Sequence, residues 1–305
     1  MNGGSAVGAP AEEGVSGHRG AYSGTEHDAR FEMGSSADFD ARRGVGTSLG
    51  VGLSLGVGPS LGVGPSLSVG PSLSGRVAAK LGAEGRAALA VWGPSRLGMV
   101  VLAWIAAWLF AAGAEPPGPW LARWDRWDAG IFVSIARDGY FGAGAESTHV
   151  AFFPGFPAAM WFVHLVARNW TAAGLLVSLV AGTAAVVALG RLAADQVGGG
   201  PERARSQSAA NAVLFFALAP AAVFLTAGYS ESLFAAFAFP AWLAARRDRW
   251  GLAVLLAAGA SAVRVNGLFL AAAIALEFLL AGAERRRWRQ LPLLAVPLLP
   301  AAAYV

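Results

Sequence analysis

Two carboxylates lie three residues apart in the segment RWDRWDAGIFVSIARDGYF, residues 123–141. Positions three apart share one side of a helix, so a helix over 124–138 would point Asp125 and Asp128 in the same direction. Such a pair could supply a general base or bind a divalent cation. The alternative is a solvated cluster of charges with no chemical role.

The same helix would carry an apolar stripe beside its carboxylates. Four residues follow helical spacing: Trp124, Trp127, Ile131 and Ile135. Tryptophan favours the membrane–water interface, and Gly139 follows the last turn, where a left-handed cap would sit. We therefore expect this helix to lie on the outer membrane surface with its carboxylates at headgroup depth.

Apolar runs on both sides of this segment indicate a membrane protein. The chain has 305 residues, of which 55% are hydrophobic and 14% charged, whereas soluble domains have about 25% charged residues. About eight apolar segments predict an all-α fold, a polytopic transmembrane helical bundle. The segments are 97–114, 151–167, 172–190, 209–228, 232–245, 250–263, 267–283 and 291–305.

Composition also excludes several classes of function. The chain contains no cysteine, so disulfides and thiolate metal sites are excluded. The arginine clusters at 246–249 and 284–289 interrupt apolar runs and are typical of cytoplasmic loops, so nucleic-acid binding is not expected. No group of histidines and carboxylates has the spacing of a metal site, and we expect no metal.

The chain divides into two regions. Residues 1–75 contain the hexads SLGVGL and SLGVGP and are rich in Gly, Ser and Pro, so we expect a disordered low-complexity leader. Residues 76–305 would form the transmembrane domain, with an external loop at 115–150. Because Arg86 and Arg96 precede the first apolar segment, its start is expected in the cytoplasm.

The two arginine-rich loops also predict which ends of the helices meet. With both loops in the cytoplasm, GYSES (228–232) and RVNG (264–267) lie on the same outer side as the acidic loop. A strict count of spans gives the opposite result. We therefore expect AFFPGFP (151–157), with two prolines and a glycine, to be re-entrant or to lie flat.

Arg264 lies within an apolar run, where an arginine costs about 2.5–3.5 kcal/mol and needs a partner or a task. Its planar fork of donors suits a phosphate, and Asn266 could donate to the phosphate or to a sugar. The alternative is a salt bridge to Glu231. That glutamate follows Ser230 and could also be an acid in the first turn of a helix capped by the serine.

Three further side chains have alternative interpretations. Tyr229 is either a phenol that contacts a sugar or an interfacial anchor. His149 is a lone loop histidine, either solvated or substrate-binding. His164 lies within an apolar run and is expected to hydrogen-bond to a neighbouring helix.

Four blocks in this order resemble the signature of the GPI mannosyltransferase 2 (PIG-V) family: RWDAGIFVSIARDGY (126–140), HVAFFPGFP (149–157), AGYSESLFAAFAF (227–239) and VRVNGL (263–268). The resemblance implies a GT-C type glycosyltransferase, a multi-span helical protein whose first external loop carries the catalytic acid residue. Members use a polyprenyl-type phosphate mannose as donor, dolichyl in eukaryotes.

The resemblance transfers residue by residue. The matched positions are Trp127, Asp128, Gly139, Tyr140, Phe152, Phe153, Pro154, Pro157, Tyr229, Ser230, Glu231, Arg264, Asn266 and Gly267. Ile131 stands where eukaryotic members often have histidine, so no imidazole role carries over. The chain ends at Val305 inside an apolar run, and we expect it to be truncated relative to the family.

We thus expect a multi-pass membrane mannosyltransferase that inverts the transferred sugar, with Asp128 as catalytic base and no cofactor. Expected substrate-binding residues are Trp127, Asp125, His149, Tyr229, Glu231, Arg264 and Asn266; a divalent cation on the two aspartates stays an alternative. Partners would be the bilayer, the lipid-linked donor and a glycolipid, polymer or protein acceptor.

The composition favours a bacterial source and hence the plasma membrane, where the acceptor cannot be a GPI anchor. A eukaryotic source would mean the endoplasmic reticulum and the second GPI mannose. The alternatives to an enzyme are a lipid or sugar transporter (flippase) and an inactive binding relative. A transporter would fit the intramembrane arginine, but no internal repeat is found among the spans.

Overall fold

A computed structural model describes residues 73–110, 120–142, 147–282, 284–285 and 288–304, with the backbone alone described for 73–80. Within these ranges the chain is all-helical and contains no β-strand. The predicted disordered leader lies outside the described residues, except for its last three positions, which are helical.

Nine α-helices occur in the described part of the chain, and the first is kinked at Gly82, whose φ of +71° and ψ of 174° are not helical. The helices are α1 (Leu73–Leu109), α2 (Asp128–Asp138), α3 (Gly155–Ala167), α4 (Trp170–Gln196), α5 (Glu202–Leu218), α6 (Ser230–Arg246), α7 (Trp250–Val263), α8 (Asn266–Leu280) and α9 (Leu299–Tyr304). Short 3-10 helices cover Trp120–Trp124, Ser147–Ala151, Pro220–Leu225 and Trp288–Leu298.

Two of the described helices are long and apolar enough to cross a membrane. These are the part of α1 from Leu81 to Leu109, with 29 residues, and α4, with 27 residues. The apolar helices α3, α7 and α8 have 13, 14 and 15 residues. At 1.5 Å per residue they reach roughly 20–23 Å, short of a hydrocarbon core of about 30 Å.

The first span differs from its predicted bounds of 97–114. The helix passes through Pro94 and ends at Leu109. Trp92 and Arg96 are buried, with 2% and 5% of their surface exposed. The expected position of Arg96 just before the first apolar segment is therefore wrong, since the arginine lies inside the helix and inside the candidate span Leu81–Leu109. Contacts with neighbouring helices outweigh the usual tendency of proline to end a helix.

The predicted segment 209–228 is two elements. Helix α5 ends at Leu218, Ala219 is extended (φ −59°, ψ 143°), and Pro220 opens a 3-10 helix. A proline has no N–H for the helical ladder and pushes the residue before it out of the helical region, so the break follows from Pro220.

The centre of the bundle is built from small side chains. Helix α4 packs against α1, α3, α5 and α6, and α6 packs against α7. Most buried residues of α4 are Gly, Ala, Ser or Val, which let helix backbones approach closely. For example, a Cβ on Gly182 would lie 2.6 Å from the Trp92 ring.

The two arginine-rich loops meet at one end of the bundle, at the end of α6. Because α6 has 17 residues, this end is about 25 Å from its first residue. The cytoplasmic location of this end stays a prediction. Four ion pairs join the elements there: Arg247–Asp195 (2.9 Å), Arg285–Asp248 (2.7 Å), Arg246–Glu277 (3.4 Å) and Arg285–Glu277 (3.7 Å).

Gly155 starts α3 against the last turn of α7. A Cβ at this position would lie 2.6 Å from the Ala262 carbonyl oxygen and 2.9 Å from Val263 Cγ2. Both contacts involve the turn that leads directly into Arg264. Glycine therefore allows the FFPGFP block to pack next to that arginine.

We predict that Gly155→Ala lowers the free energy of unfolding by about 1–3 kcal/mol, because the added methyl overpacks the contact. Gly251→Ala is the matched control, since nothing lies within 4 Å of a Cβ there and alanine favours a helix by about 1 kcal/mol. Thermal unfolding in detergent measures both. Equal midpoints for the two variants would contradict the proposed close contact.

Candidate active site

A polar cavity of about 150 Å³ lies where α2, α6 and α8 begin and α7 ends. Residues of the acidic loop, of GYSES (228–232) and of RVNG (264–267) come together here, as their predicted placement at one end of the helices requires. The lining residues are Asp128, Phe132, Ala151, Phe152, Phe153, Ser230, Val263, Arg264, Val265 and Asn266.

Three helices begin at the wall of this cavity. Asp128 is the first residue of α2, Ser230 of α6 and Asn266 of α8. The first turn of a helix has N–H groups without intrahelical partners, and its end carries a partial positive charge. Three such ends beside Arg264 make the cavity suited to an anionic group.

The predicted helix over 124–138 is shorter, because α2 begins only at Asp128. Trp124 ends a separate 3-10 helix, and Trp127 is 81% exposed. The predicted stripe of two tryptophans and two isoleucines is therefore wrong. The buried face of α2 consists of Ala129, Phe132 and Ile135.

A tight turn before α2 explains the difference. Ala129 donates its N–H to the Arg126 carbonyl at 3.1 Å, and Trp127 has φ +49° and ψ −127°. This backbone is close to the first central residue of a type II′ turn, a position dominated by glycine. A tryptophan there costs about 1–3 kcal/mol and persists only where surrounding contacts hold it.

Two hydrogen bonds from distant elements hold this turn. Thr171, in the first turn of α4, donates to Asp125 Oδ2 at 2.7 Å. On the other side, the Tyr229 hydroxyl donates to the Arg126 carbonyl at 3.0 Å. Both bonds reach residues just before the strained Trp127, so two distant elements fix the start of the turn that presents Asp128.

Tyr229 is thus neither an interfacial anchor nor, in this structure, a phenol open to a sugar. Its side chain is 6% exposed and packs 4.9 Å from the Phe224 ring. Burial raises the pKa of the Tyr229 hydroxyl, and the charges of Asp128 and Glu231 raise it further. The phenol therefore keeps the proton that it donates to the turn.

Asp125 and Asp128 do not face the same space. Asp125 lies in a closed crevice with Trp124 and Thr171, whereas Asp128 lines the polar cavity. The predicted carboxylate pair is therefore wrong, because the turn at Trp127 interrupts the helix that would have aligned it. Among the described residues, no group of three or more His, Cys, Asp or Glu could hold a metal ion.

Arg264 forms the salt bridge that was the alternative to a phosphate role. Its Nη1 donates to Glu231 Oε1 at 2.6 Å and to Ser230 Oγ at 3.0 Å. The backbone of Arg264 is extended (φ −152°, ψ 148°) and separates α7 from α8. Glu231 Oε2 is buried without a hydrogen-bond partner.

The predicted helix cap at Ser230 is wrong. The N-cap of α6 is Tyr229, which makes no side-chain capping bond, and Ser230 is the first helical residue. The serine hydroxyl instead accepts a hydrogen bond from Arg264. A charged donor makes a stronger bond than a backbone N–H, which explains the choice.

A second, apolar cavity of about 280 Å³ adjoins the same arginine. It lies between the end of α5, the 3-10 helix Pro220–Leu225 and α6. Phe216, Phe234 and Phe239 contribute aromatic walls, while Glu231, Arg264 and Asn266 lie at its polar end. Arg264 and Asn266 line both cavities, so the polar and apolar cavities meet at these two residues.

Aromatic side chains frame the polar cavity. The Phe132 ring lies 5.2 Å from that of Phe152 and 4.9 Å from that of Phe156. The hydroxyls of Tyr140 and Tyr304 both donate to the Phe152 carbonyl, at 2.7 and 2.9 Å. Burial, together with Tyr304, raises the pKa of Tyr140.

The other matched positions shape the backbone around this frame. Gly139 ends α2 with φ +77°, as a glycine cap requires, although its ψ of −175° is extended and not left-handed helical. Pro154 is the N-cap of α3, and Pro157 is buried in the first turn. Phe153 packs 5.0 Å from the Tyr304 ring.

The two histidines differ from expectation. His149 is not solvated: it is 4% exposed, its Nδ1 has no hydrogen-bond partner, and it does not line the polar cavity. His164 stacks on Trp170 with ring centroids 3.6 Å apart. Its Nδ1 also has no partner, so the predicted bond to a neighbouring helix is not formed by that atom.

Together these features define a class: a chain that is all-helical where described, with candidate membrane spans and a carboxylate–arginine cavity that shares Arg264 and Asn266 with an apolar one. The family model described as Mannosyltransferase (PIG-V) matches residues 120–291, more than half of the chain and all residues that line both cavities. The chain therefore belongs to the PIG-V mannosyltransferase family.

Curated relatives match about half of the chain. It is 38% identical over 147 residues to GPI alpha-1,6-mannosyltransferase 2 of Homo sapiens, covering 47% of this chain and 29% of that protein. The protein of the same name from Mus musculus is 37% identical over 160 residues, 51% of this chain and 30% of that protein. The match thus spans under a third of these relatives, and no solved structure matches the chain.

We predict that Trp127→Gly is more stable than Trp127→Ala by about 1 kcal/mol, because only glycine adopts this turn without strain. Both variants remove the same exposed ring, so each is the other's control. Chemical denaturation in detergent measures the difference. An alanine variant as stable as the glycine variant would show that the turn at residue 127 is not strained.

Proposed function

We propose that this protein is a multi-pass membrane mannosyltransferase that takes mannose from a polyprenyl-phosphate mannose and transfers it, with inversion, to an acceptor outside the cytoplasm. The observation that carries the proposal is one cavity lined by both Asp128 and Arg264. Membership of the PIG-V family and the names of the relatives support the same activity.

The polar cavity would bind the reacting groups. The Asp128 carboxylate takes the proton of the acceptor hydroxyl while the oxygen of that hydroxyl attacks C1 of mannose. The bond from C1 to the phosphate oxygen breaks. The lipid phosphate leaves with the electron pair of that bond. Phe132, Phe152 and Val265 line the cavity beside this exposed carboxylate.

Arg264 would hold the donor phosphate at the junction of the two cavities. A guanidinium has five N–H donors, and the bonds to Glu231 and Ser230 use only Nη1. The remaining donors can meet two phosphate oxygens, assisted by Asn266 and the first turn of α8. In the absence of the donor, the salt bridge to Glu231 orients the arginine.

The apolar cavity would receive the first isoprene units of the donor. Its walls are phenylalanine, alanine and leucine, and its polar end is the proposed phosphate site. Burying apolar surface contributes about 25 cal/mol per Å², so the lipid adds affinity without touching the reacting atoms. This arrangement places the sugar in the polar cavity, the phosphate at the junction and the lipid in the apolar cavity.

Exposed apolar surface supports an integral membrane location. Leu102, Trp104, Trp108 and Phe110, at the end of α1, are 60–82% exposed. Such a surface suits lipid and not water. We propose that residues 76–305 form one polytopic domain of 7–8 apolar segments, with α3 re-entrant and the external loop 115–150 carrying the base.

The relatives' name specifies a GPI acceptor and an α-1,6 linkage. In a eukaryotic endoplasmic reticulum we propose the same acceptor here. In a bacterial plasma membrane the acceptor would be another glycolipid, a polymer or a protein. No cofactor is needed in either case, because the lipid phosphate is itself the leaving group.

We predict that Asp128→Asn lowers mannose transfer at least about 100-fold, the usual contribution of a general base. Transfer from a labelled lipid donor is measured in membranes that contain the full chain. Asp138→Asn is the control, since it removes a partly exposed carboxylate, paired with Arg137, from the other end of the same helix. Equal transfer by Asp128→Asn and wild type would remove Asp128 from the mechanism. Donor binding by a wild type that transfers nothing would indicate an inactive binding relative or a transporter.

We predict that Arg264→Lys raises KM for the donor roughly 10-fold or more, because the ammonium keeps the charge but loses the fork of donors. Arg247→Lys, in the exposed pair with Asp195 at the other end of α6, is the control and should change KM little. An unchanged KM in Arg264→Lys would contradict phosphate binding by this arginine.

A further inference from the structure

Arg96 is a buried arginine that the proposed reaction does not use. It lies within the span Leu81–Leu109 of α1, outside the residues that match the family, and is 5% exposed. Its guanidinium lies 4.1 Å from the centre of the Trp92 ring. None of the ion pairs in the described part of the chain includes it.

The partners of Arg96 are neutral groups: Ser95 in its own helix, which accepts from Nε at 3.3 Å, and two groups of one short segment. Its Nη1 donates to the Ala222 carbonyl at 3.1 Å and to Thr226 Oγ1 at 2.5 Å, while Nη2 is buried without a partner. An arginine in a membrane costs about 2.5–3.5 kcal/mol, and here no carboxylate offsets that cost. Such a residue usually marks a function.

The contacted segment is the wall of the apolar cavity. It follows the break at Pro220, and the cavity is lined by Ala219, Ala221, Ala222 and Leu225. Within a bilayer, carbonyls freed by a helix break need a donor, and Arg96 supplies one for Ala222. Ser232 supplies another, since its hydroxyl donates to the Leu225 carbonyl at 2.9 Å.

We propose that Arg96 is a positioning residue that fixes the wall of the apolar cavity through Ala222 and Thr226 and thereby determines how tightly the isoprenoid chain of the donor binds. The inference rests on the proposed function. Arg96 contacts the wall from behind and touches neither the phosphate site nor Asp128, so its effect belongs to lipid binding and not to chemistry.

The test compares two mannosyl-phosphate donors on the full chain in membranes. One carries a chain of two isoprene units and the other a long polyprenyl chain. In Arg96→Met, KM for the long-chain donor should rise about tenfold. This factor corresponds to the loss of about 1.4 kcal/mol of apolar contact between the cavity wall and the lipid. KM for the short-chain donor and kcat for both donors should stay close to wild type.

Two further variants complete the design. Thr226→Val removes one acceptor of Arg96 and should shift the same KM in the same direction by a smaller factor; it carries the test if Arg96→Met does not fold. Arg205→Met is the control. Arg205 pairs with Glu84 and so joins α5 to α1, but it does not line the apolar cavity, and its loss should affect both donors equally. Thermal unfolding in detergent verifies the fold of each variant.

The outcomes separate this inference from the proposed function. If Arg96→Met and Thr226→Val change KM for both donors by the same factor, or lower kcat instead, Arg96 does not act on lipid binding and the inference is overturned. If wild type transfers mannose from neither donor, the proposed function fails first. A rise in KM for the long-chain donor alone supports the inference.

Discussion

The ion pair between Arg264 and Glu231 is the interaction on which the site depends. The arginine interrupts two apolar helices, and within a membrane it requires a partner. Glu231 and Ser230, in the first turn of α6, both contact this arginine, and the distance from Arg264 Nη1 to Glu231 Oε1 is 2.6 Å. This contact joins the break between α7 and α8 to the start of α6, and the two cavities meet at that point.

Helix ends, not helix faces, build the polar cavity. The starts of α2, α6 and α8 converge there, so the positive ends of three helix dipoles meet at one cavity. The partial positive charge of these helix ends favours an anionic group in the cavity. A strained turn at Trp127 and a close approach at Gly155 are the local conditions for this convergence.

Local patterns predicted the helices well and their interruptions poorly. The segment 250–263 coincides with α7, since a pure apolar run depends on its own residues. The helix proposed over 124–138 is interrupted because Thr171 and Tyr229 hold the turn from 46 and 103 residues away. No periodicity contains that information, and for the same reason the burial of Arg96 and His149 was not predictable.

The sequence by itself determined the chemistry available: apolar segments, a carboxylate and an arginine in the right blocks, and a resemblance that the family match confirms. Only the tertiary structure decided which carboxylate faces the cavity, that Arg264 pairs with Glu231, and that an apolar cavity adjoins them. The physical reason is that residue type and spacing act over a few turns of one helix, whereas a cavity forms from side chains that separate helices bring together.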